Sequence, residues 1–170
     1  MKTKKAIFIT GKSVQDHEFI YPFYRLKEAG FEVVVAAEDG KETTTFMGIK
    51  VLVDKTFDSL KVKDYDLLVI PGGAKAMEYI RQNQKALRFI SDFHKADKVI
   101  ASICHGAQLL ISADIVRGKK ISGYYSIKDD INNAGATYVD APAVVDSKII
   151  TSPHYKHLGD WMAATLRFFA

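Results

Sequence analysis

The stretch VIASICHGAQLL, residues 99–110, decides the fold of this chain. Its first five residues form a short, partly β-branched apolar run that follows a charged turn, which is the pattern of a buried strand. The run breaks at Cys104, and residues 107–111 predict a helix that packs back on the strand. A strand that turns directly into a helix is the building unit of a parallel sheet covered by helices.

Cys104 is the only cysteine in the chain and lies at this predicted bend. A nucleophile at such a bend is placed at the carboxyl end of the sheet, and Ser102 and Gly106 give it the small flanking residues of a nucleophile elbow. The start of the following helix would also favour a thiolate. Most single cysteines simply fill cores, but the bend and its small neighbours favour a reactive thiol here.

Strand and helix patterns alternate along the rest of the chain. Together they predict one doubly wound α/β domain over residues 1–170, with a hairpin at 43–57. The other predicted strands are 6–10, 31–37, 65–70 and 99–103, followed by short strands at 121–125, 137–139, 143–145 and 148–151. The predicted helices are 18–29, 74–95, 107–111 and 158–169, and Gly30 is expected to stop the first of them.

Composition narrows the class of protein. The 170 residues are 48% hydrophobic, which is enough for a full core, and one cysteine cannot form an intrachain disulfide. The first apolar stretch is too short for a signal peptide, and no run reaches membrane-spanning length. A net charge of +4 with scattered basic residues does not predict nucleic-acid binding. We therefore expect a cytoplasmic protein that binds neither membranes nor nucleic acids.

Ligands of such sheets bind at the carboxyl ends of the strands. The loop after the strand at 65–70 contains Pro71, Gly72 and Gly73, and the Gly73 amide could form an oxyanion hole together with the amide of His105. The alternative is a tight turn that needs positive φ. Both interpretations remain open from the residues alone.

Three further residue sets could act near Cys104. Glu18 either complements the dipole of the first helix or points into the crevice, hydrogen-bonds Cys104 and moves protons. His105 either packs or assists the thiol, in which case it needs an orienting acceptor. The histidines at 17, 154 and 157 lack a matched metal-ligand spacing, and no phosphate-binding glycine loop is present, so we expect neither a metal nor a cofactor.

Three segments then carry a resemblance to a known family. The segments EFIYP at 18–22, VIPGG at 69–73 and ASICHGAQLL at 101–110 occur in the order and spacing of the ThiJ/PfpI family, in its intracellular protease I branch. The segments IKDD at 127–130 and VVD at 144–146 extend the similarity. The resemblance implies a flavodoxin-like three-layer α/β sandwich with a mostly parallel sheet, related to class I glutamine amidotransferases.

The resemblance also implies roles for particular residues. Cys104 and Glu18 are the expected catalytic pair. Gly72, Gly73 and the His105 amide are expected to border the oxyanion hole, and Tyr124 to border the pocket. Glu78 is expected to reach His105 from a neighbouring subunit, in a homodimer or hexamer. That contact would supply the orienting acceptor that His105 needs and that the sequence of a single chain does not identify.

Activities known in similar proteins leave three hypotheses. The first is a cofactor-independent glyoxalase or deglycase that attacks reactive carbonyls through Cys104 in stress protection. The second is a peptidase with a Cys104–His105–Glu78 triad, and the third is a redox-sensing or chaperone-like protein whose Cys104 is oxidised. The sequence departs from the family pattern at 153–157, where the usual arginine is replaced by histidines and a tyrosine, and Ala107 replaces a proline. These departures put the substrate in question.

Overall fold

A seven-stranded sheet runs through the centre of the computed structural model, which describes residues 3–170. Two pairs of short strands lie outside it. The strands are β1 (Lys5–Ile9), β2 (Glu32–Ala37), β3 (Thr43–Thr44), β4 (Lys50–Val51), β5 (Lys55–Thr56), β6 (Leu67–Ile70), β7 (Val99–Ile103), β8 (Lys120–Ile121), β9 (Thr137–Tyr138), β10 (Val144–Asp146) and β11 (Ile149–Ser152).

The strand order of the main sheet is β10-β11-β7-β6-β1-β2-β5, and β10 alone is antiparallel to its neighbour. From β2 to β11 the sheet has five parallel strands, in the order β2-β1-β6-β7-β11. Numbered by their occurrence in the chain, these five follow the order 2-1-3-4-5 of flavodoxin-like sheets. The chain reverses direction across the sheet between β1 and β6. This is where such folds open a ligand crevice, and β7 ends on the same edge.

Helices cover both faces of the sheet. They are α1 (Asp16–Glu28), α2 (Ala74–Ile80), α3 (Gln84–Lys95), α4 (Ala107–Ser112), α5 (Lys128–Asn133) and α6 (Leu158–Leu166). α1 packs against α6, whereas α4 packs against α2, α3 and α5. Right-handed crossovers place these two groups on opposite faces, because β1 to β2 and β6 to β7 run in opposite directions across the sheet. The prediction of a flavodoxin-like, three-layer α/β fold is confirmed.

Helices on both faces of the sheet explain why the central strands are continuous apolar runs in the sequence. Every residue of β6 and β7 is buried, as are the last four residues of β1. Strands covered by helices on both faces have no solvent side and therefore lose the alternation of a half-exposed strand.

Several predicted elements differ from the observed ones. The helical region at 74–95 is two helices, because residues 81–83 form a turn and the Asn83 side chain caps α3 by accepting from the N–H groups of Lys85 and Ala86. In the hairpin at 43–57, β3 and β4 pair as predicted, but β5 joins the main sheet parallel to β2.

The segment between α4 and β10 also differs. The strand predicted at 121–125 is only the two-residue β8, followed by a 3-10 turn at Tyr125–Ile127 and by α5, which was not predicted. α5 buries one residue, Ile131, so its sequence carries no apolar periodicity that could indicate a helix. Within residues 3–170, no helix has both the length and the apolar character needed to cross a bilayer.

Candidate active site

The chain makes a sharp bend where β7 ends. Cys104 begins a three-residue 3-10 turn and has a φ of +58°, a left-handed conformation that costs a non-glycine residue about 1 to 3 kcal/mol. Gly106 is required because a Cβ there would lie 2.7 Å from both the Ile70 carbonyl oxygen and Ser102 Oγ. The predicted bend is confirmed, and the small residue after it has a steric cause.

Glu18 lies in the first turn of α1 and is fully buried. Its Oε2 accepts the backbone N–H of Gly72 at 2.9 Å, and its carboxyl group hydrogen-bonds the thiol of Cys104. Burial raises the pKa of Glu18 to about 7, and the hydrogen bonds from Cys104 and Gly72 offset only part of this rise. Of the two sequence interpretations, the structure shows the one in which Glu18 faces the thiol.

The surroundings of the Cys104 sulfur act on the pKa of its thiol in opposite directions. Burial raises the pKa most, and the charge of Glu18 raises it further, while hydrogen bonds from the backbone N–H groups of His105 and Gly73 lower it. The net direction is upward, so the buried thiol keeps its proton, contrary to the thiolate that the start of the helix favoured in the sequence. The helix dipole contributes less than the sequence suggests, because α4 is only six residues long and follows a 3-10 turn.

The Pro-Gly-Gly turn between β6 and α2 closes over this pair. A Cβ at Gly72 would lie 2.3 Å from Glu18 Oε2 and 2.7 Å from Cys104 Cβ, so no larger residue fits without moving one of them. Gly73 has a φ of +101°, which presents its N–H to the sulfur. Thus the tight turn and the oxyanion-hole geometry, treated as alternatives in the sequence, are the same feature. We call Glu18, Gly72, Gly73, Cys104 and the amide of His105 the floor of the pocket.

The His105 side chain lies beside the thiol despite being its neighbour in sequence. Its Nδ1 is 3.4 Å from Cys104 Sγ, and its Nε2 is 3.5 Å from the Oγ of Ser126. Burial lowers the pKa of His105, which favours the neutral ring. The exposed Ser126 was not singled out in the sequence, where nothing marks it. Its loop reaches the site because the Tyr124 N–H donates to the Cys104 carbonyl oxygen.

Glu78 is not brought to His105 by its own chain. It lies on the exposed side of α2, and the hydrogen bonds of residues 3–170 include its carbonyl oxygen but not its carboxylate. Contact with the His105 of another subunit therefore stays a prediction.

A series of rings extends outward from His105, beside the floor. His105 stacks on Tyr124 with centroids 4.7 Å apart, Tyr124 faces His154 at 5.9 Å, and His154 contacts Tyr155 at 3.9 Å. Tyr155 in turn stacks on His17 at 5.0 Å, next to Glu18. We call the following residues the aromatic rim: His17, His105, Tyr124, Tyr125, His154 and Tyr155.

The atypical segment at 153–157 thus supplies two of these rings, His154 and Tyr155. The Nδ1 of His154 accepts the backbone N–H of Lys156 at 3.2 Å, which leaves Nε2 as the protonated nitrogen of the neutral ring. Although His17 and His154 share Tyr155 as a neighbour, residues 3–170 contain no group of three histidine, cysteine or acidic side chains placed to hold a metal ion.

Comparison with known proteins agrees with this geometry. The family model described as the DJ-1/PfpI family matches residues 4–167, which is nearly the whole chain. The chain belongs to the DJ-1/PfpI family. The ThiJ/PfpI resemblance seen in the sequence is therefore confirmed, and the family match includes the atypical segment of the aromatic rim.

Relatives within the DJ-1/PfpI family bear two kinds of name. A Pyrococcus horikoshii protein named a deglycase is 44% identical over 158 residues, which are 93% of this chain and 95% of that protein. YraA of Bacillus subtilis, provisionally named a cysteine protease, is 40% identical over 153 residues and covers 89% of each chain.

A crystal structure from Anabaena variabilis of a protein with DJ-1/ThiJ/PfpI-like and ferritin-like domains superimposes with a TM-score of 0.95 at 36% identity. The match covers 98% of this chain but 48% of that protein, so the chain spans about half of its two-domain relative. The fold of the DJ-1/PfpI domain is the same in both.

Proposed function

We propose that this protein is a cofactor-independent enzyme that attacks small reactive carbonyls through Cys104, as a glyoxalase or deglycase. The observation that carries the proposal is the meeting of three groups on one sulfur: a buried carboxyl with a pKa of about 7, and two backbone N–H donors. A relative named a deglycase at 44% identity supports the same chemistry. Such a site supplies a nucleophile, a proton carrier and an oxyanion hole.

The proposed reaction starts with a 2-oxoaldehyde such as methylglyoxal. The Cys104 sulfur adds to the aldehyde carbon, the carbonyl electron pair moves to oxygen, and the N–H groups of Gly73 and His105 hold that oxygen. Glu18 takes up the thiol proton and delivers it to the oxygen, which gives a hemithioacetal. Glu18 then moves the proton from C1 to C2, while the C1 hydroxyl gives up its proton and the C2 oxygen takes one up, so that the adduct becomes a lactate thioester. Water hydrolyses the thioester to lactate and regenerates the thiol.

A glycated side chain enters by the same adduct. In a hemiaminal formed from methylglyoxal and an amine, the sulfur forms its bond to the hemiaminal carbon while the carbon–nitrogen bond breaks. The amine leaves with the thiol proton, and the same hemithioacetal remains. The burial of the thiol supports a small reacting group, because Cys104 is only 6% exposed and the His105 ring lies beside it.

The test compares lactate formation from methylglyoxal by the wild-type protein and by Cys104→Ala. We expect turnover to disappear, because every step forms or breaks a bond to the sulfur. The control is Phe168→Leu, which changes an exposed aromatic residue in the last turn of the chain and should leave turnover unchanged. Lactate formation by Cys104→Ala at the wild-type rate would refute the proposed function.

Peptide hydrolysis is the second candidate, favoured by the 3.4 Å contact between Cys104 Sγ and His105 Nδ1. It requires the remaining member of the triad, Glu78 of the partner subunit, and therefore a homodimer or hexamer. A fluorogenic peptide assay tests it. Cleavage should be lost in Glu78→Ala, since the imidazolium would lose its orienting carboxylate. No cleavage by the wild-type protein under conditions where methylglyoxal is turned over would exclude this candidate.

A further inference from the structure

Asp16, the first residue of α1, is buried although it carries a carboxyl group. It is only 3% exposed. An acidic residue at the start of a helix commonly complements the helix dipole from the surface. The carboxyl of Asp16 instead bonds to another segment: Oδ1 accepts the hydroxyl of Thr45, and Oδ2 accepts the backbone N–H of Met47 at 3.1 Å. Both donors lie in the turn between β3 and β4, 29 and 31 residues further along the chain.

The Thr45 side chain is fixed from two directions. It is 3% exposed, and its Oγ1 accepts the backbone N–H of Ile49 at 2.9 Å while its hydroxyl donates to Asp16. A buried hydroxyl that both accepts and donates has little freedom to rotate, so the bond to Asp16 has one direction and one partner. The turn therefore offers the start of α1 a rigid donor.

Backbone hydrogen bonds join the same turn to the loop that precedes α1. The N–H of Ser13 donates to the carbonyl oxygen of Thr44, and the N–H of Phe46 donates to the carbonyl oxygen of Val14, each at 2.8 Å. The loop before α1 and the β3–β4 turn are thus one hydrogen-bonded unit, to which the side chains of Asp16 and Thr45 add the bond nearest the helix.

This unit touches the floor of the pocket. The N–H of Gln15 donates to the carbonyl oxygen of Gly72 at 3.2 Å, and a Cβ at Gly73 would lie 2.8 Å from Gln15 N. Two residues after Asp16, Glu18 accepts the N–H of Gly72 at 2.9 Å. Gly72 therefore bonds to the loop before α1 and to the carboxyl that faces the thiol. A displacement of the first turn of α1 would change both contacts.

We propose that Asp16 and Thr45 are positioning residues, whose hydrogen bond fixes the first turn of α1 and thereby holds the Glu18 carboxyl at the thiol. This inference deepens the proposed function and rests on it, because Glu18 is the proton carrier of the proposed reaction. A buried carboxylate that loses a donor is costly, which favours its movement toward water. Loss of the Thr45 hydroxyl would therefore act on Glu18 through the backbone of α1.

Thr45→Val tests the positioning role, because valine has nearly the shape of threonine but no hydroxyl. A displacement of about 1 Å at reacting groups costs roughly a hundredfold in rate, and one lost hydrogen bond should shift the helix by less. We therefore expect kcat for methylglyoxal to fall about tenfold with KM little changed, since the defect lies in proton transfer. Thr45→Ser keeps the hydroxyl and should restore kcat close to the wild-type value.

Asp16→Ala approaches the same bond from its other end and should also lower kcat. If the two residues act through one hydrogen bond, adding Thr45→Val to Asp16→Ala should cause no further loss. Losses that multiply in the double variant would overturn the pairing. Circular dichroism checks that each variant is folded. Unfolding of both single variants under conditions where the wild-type protein is folded would assign the pair to stability alone and overturn the inference.

The titration of Glu18 gives a readout that does not depend on turnover. It is followed by NMR through the chemical shift of the ¹³C-labelled side-chain carboxyl. Burial raises the pKa of this carboxyl to about 7, and the hydrogen bonds of Cys104 and Gly72 lower it only in part. Because burial is the larger effect, entry of water in Thr45→Val should move the pKa from about 7 toward 4.5. Thr45→Ser should titrate as the wild-type protein does.

Thr165, in α6, offers a matched control. Its side chain is completely buried, and its hydroxyl donates to the carbonyl oxygen of Trp161 at 2.9 Å. Thr165→Val removes one buried hydroxyl outside the floor and outside the loop before α1. It should lower the free energy of unfolding but leave kcat and the Glu18 titration unchanged. Equal effects of Thr165→Val and Thr45→Val on these two readouts would show general destabilisation and overturn the inference.

The two readouts also separate this inference from the proposed function. A Glu18 titration that shifts in Thr45→Val, in a protein that does not turn over methylglyoxal, leaves the positioning role standing while the proposed function falls. Normal methylglyoxal turnover together with an unshifted Glu18 titration in Thr45→Val overturns the positioning role and leaves the proposed function intact.

Discussion

The floor of the pocket and its aromatic rim differ in how the chain holds them. The floor is buried, and each of its groups follows directly from the end of β6 or β7 or from the first turn of α1. The rim is partly exposed and comes from 3-10 turns and loops, apart from His17 in the first turn of α1, and His105 is common to both. In α/β folds, rigid strand ends fix chemistry while the loops around them vary. Here the floor holds the groups that the proposed reaction uses, and the rim borders them with rings from more variable segments.

The largest expected effect is at the floor, where Gly72→Ala places a Cβ against Glu18 and Cys104. Because a displacement of about 1 Å at reacting groups costs roughly a hundredfold in rate, we expect methylglyoxal turnover to fall by about that factor or more. Gly159→Ala is the control, since a Cβ there meets nothing within 4 Å. Wild-type activity in Gly72→Ala would mean that the floor is not rigid.

Glu18→Gln tests whether the buried carboxyl moves protons. Glutamine has a similar size but does not gain or lose a proton near neutral pH. We therefore expect kcat to fall by about a hundredfold, which is the lower end of the range for general acid–base catalysis. Glu28→Gln, an exposed change on the same helix, is the control. If kcat is unaltered in Glu18→Gln, the carboxyl is structural, and the floor does not supply the proton transfer of the reaction.

The same carboxyl should make stability depend on pH. Folding raises the pKa of Glu18 from 4.5 to about 7, so the folded state retains a proton that the unfolded state has lost in this interval. The free energy of unfolding should therefore decrease as the pH rises from 4.5 through 7, by a total of about 3 kcal/mol. Urea unfolding at several pH values measures this, and the decrease should be absent in Glu18→Gln. Superimposable profiles for the two proteins would contradict the burial effect.

The smallest expected effect is at Ser126, a positioning residue between rim and floor. Ser126→Ala removes the 3.5 Å contact to His105 Nε2. Because this hydrogen bond is weak and exposed, its removal should lower kcat/KM by only about threefold. The titration of His105, followed by NMR, should shift in this variant, which a purely structural role would not produce. An unchanged titration together with unchanged kcat/KM would remove Ser126 from the site.

The central part of the fold could be predicted because its sequence signals are local. The apolar strands at β1, β6 and β7 and the Cys104 bend each lie within one short stretch. Other elements depend on contacts that are distant in sequence: β5 is recognisable only by its pairing with β2, and α5 buries a single isoleucine. Tertiary contacts decide such short elements, so local patterns fail there.

The candidate site divides in the same way. The adjacency of Cys104 and His105 and the Gly-Gly turn are visible in the sequence. The rim is not, because stacking of His17 on Tyr155 and of Tyr124 on His154 joins segments more than a hundred and about thirty residues apart. The unusual residues at 153–157 mark this segment as different from the family pattern, but they do not indicate what it contacts. Only the folded chain shows that this segment joins the series of rings that begins with His105 beside the nucleophile.

The left-handed backbone at Cys104 also limits how this site could evolve. At a φ of +58°, short unbranched side chains are tolerated, whereas a β-branched residue is a severe outlier. Exchange of cysteine for serine is therefore sterically open, and a lineage could move between thiol and alcohol nucleophiles without rebuilding the bend. Threonine, chemically close to serine, is closed to the same position by the backbone alone.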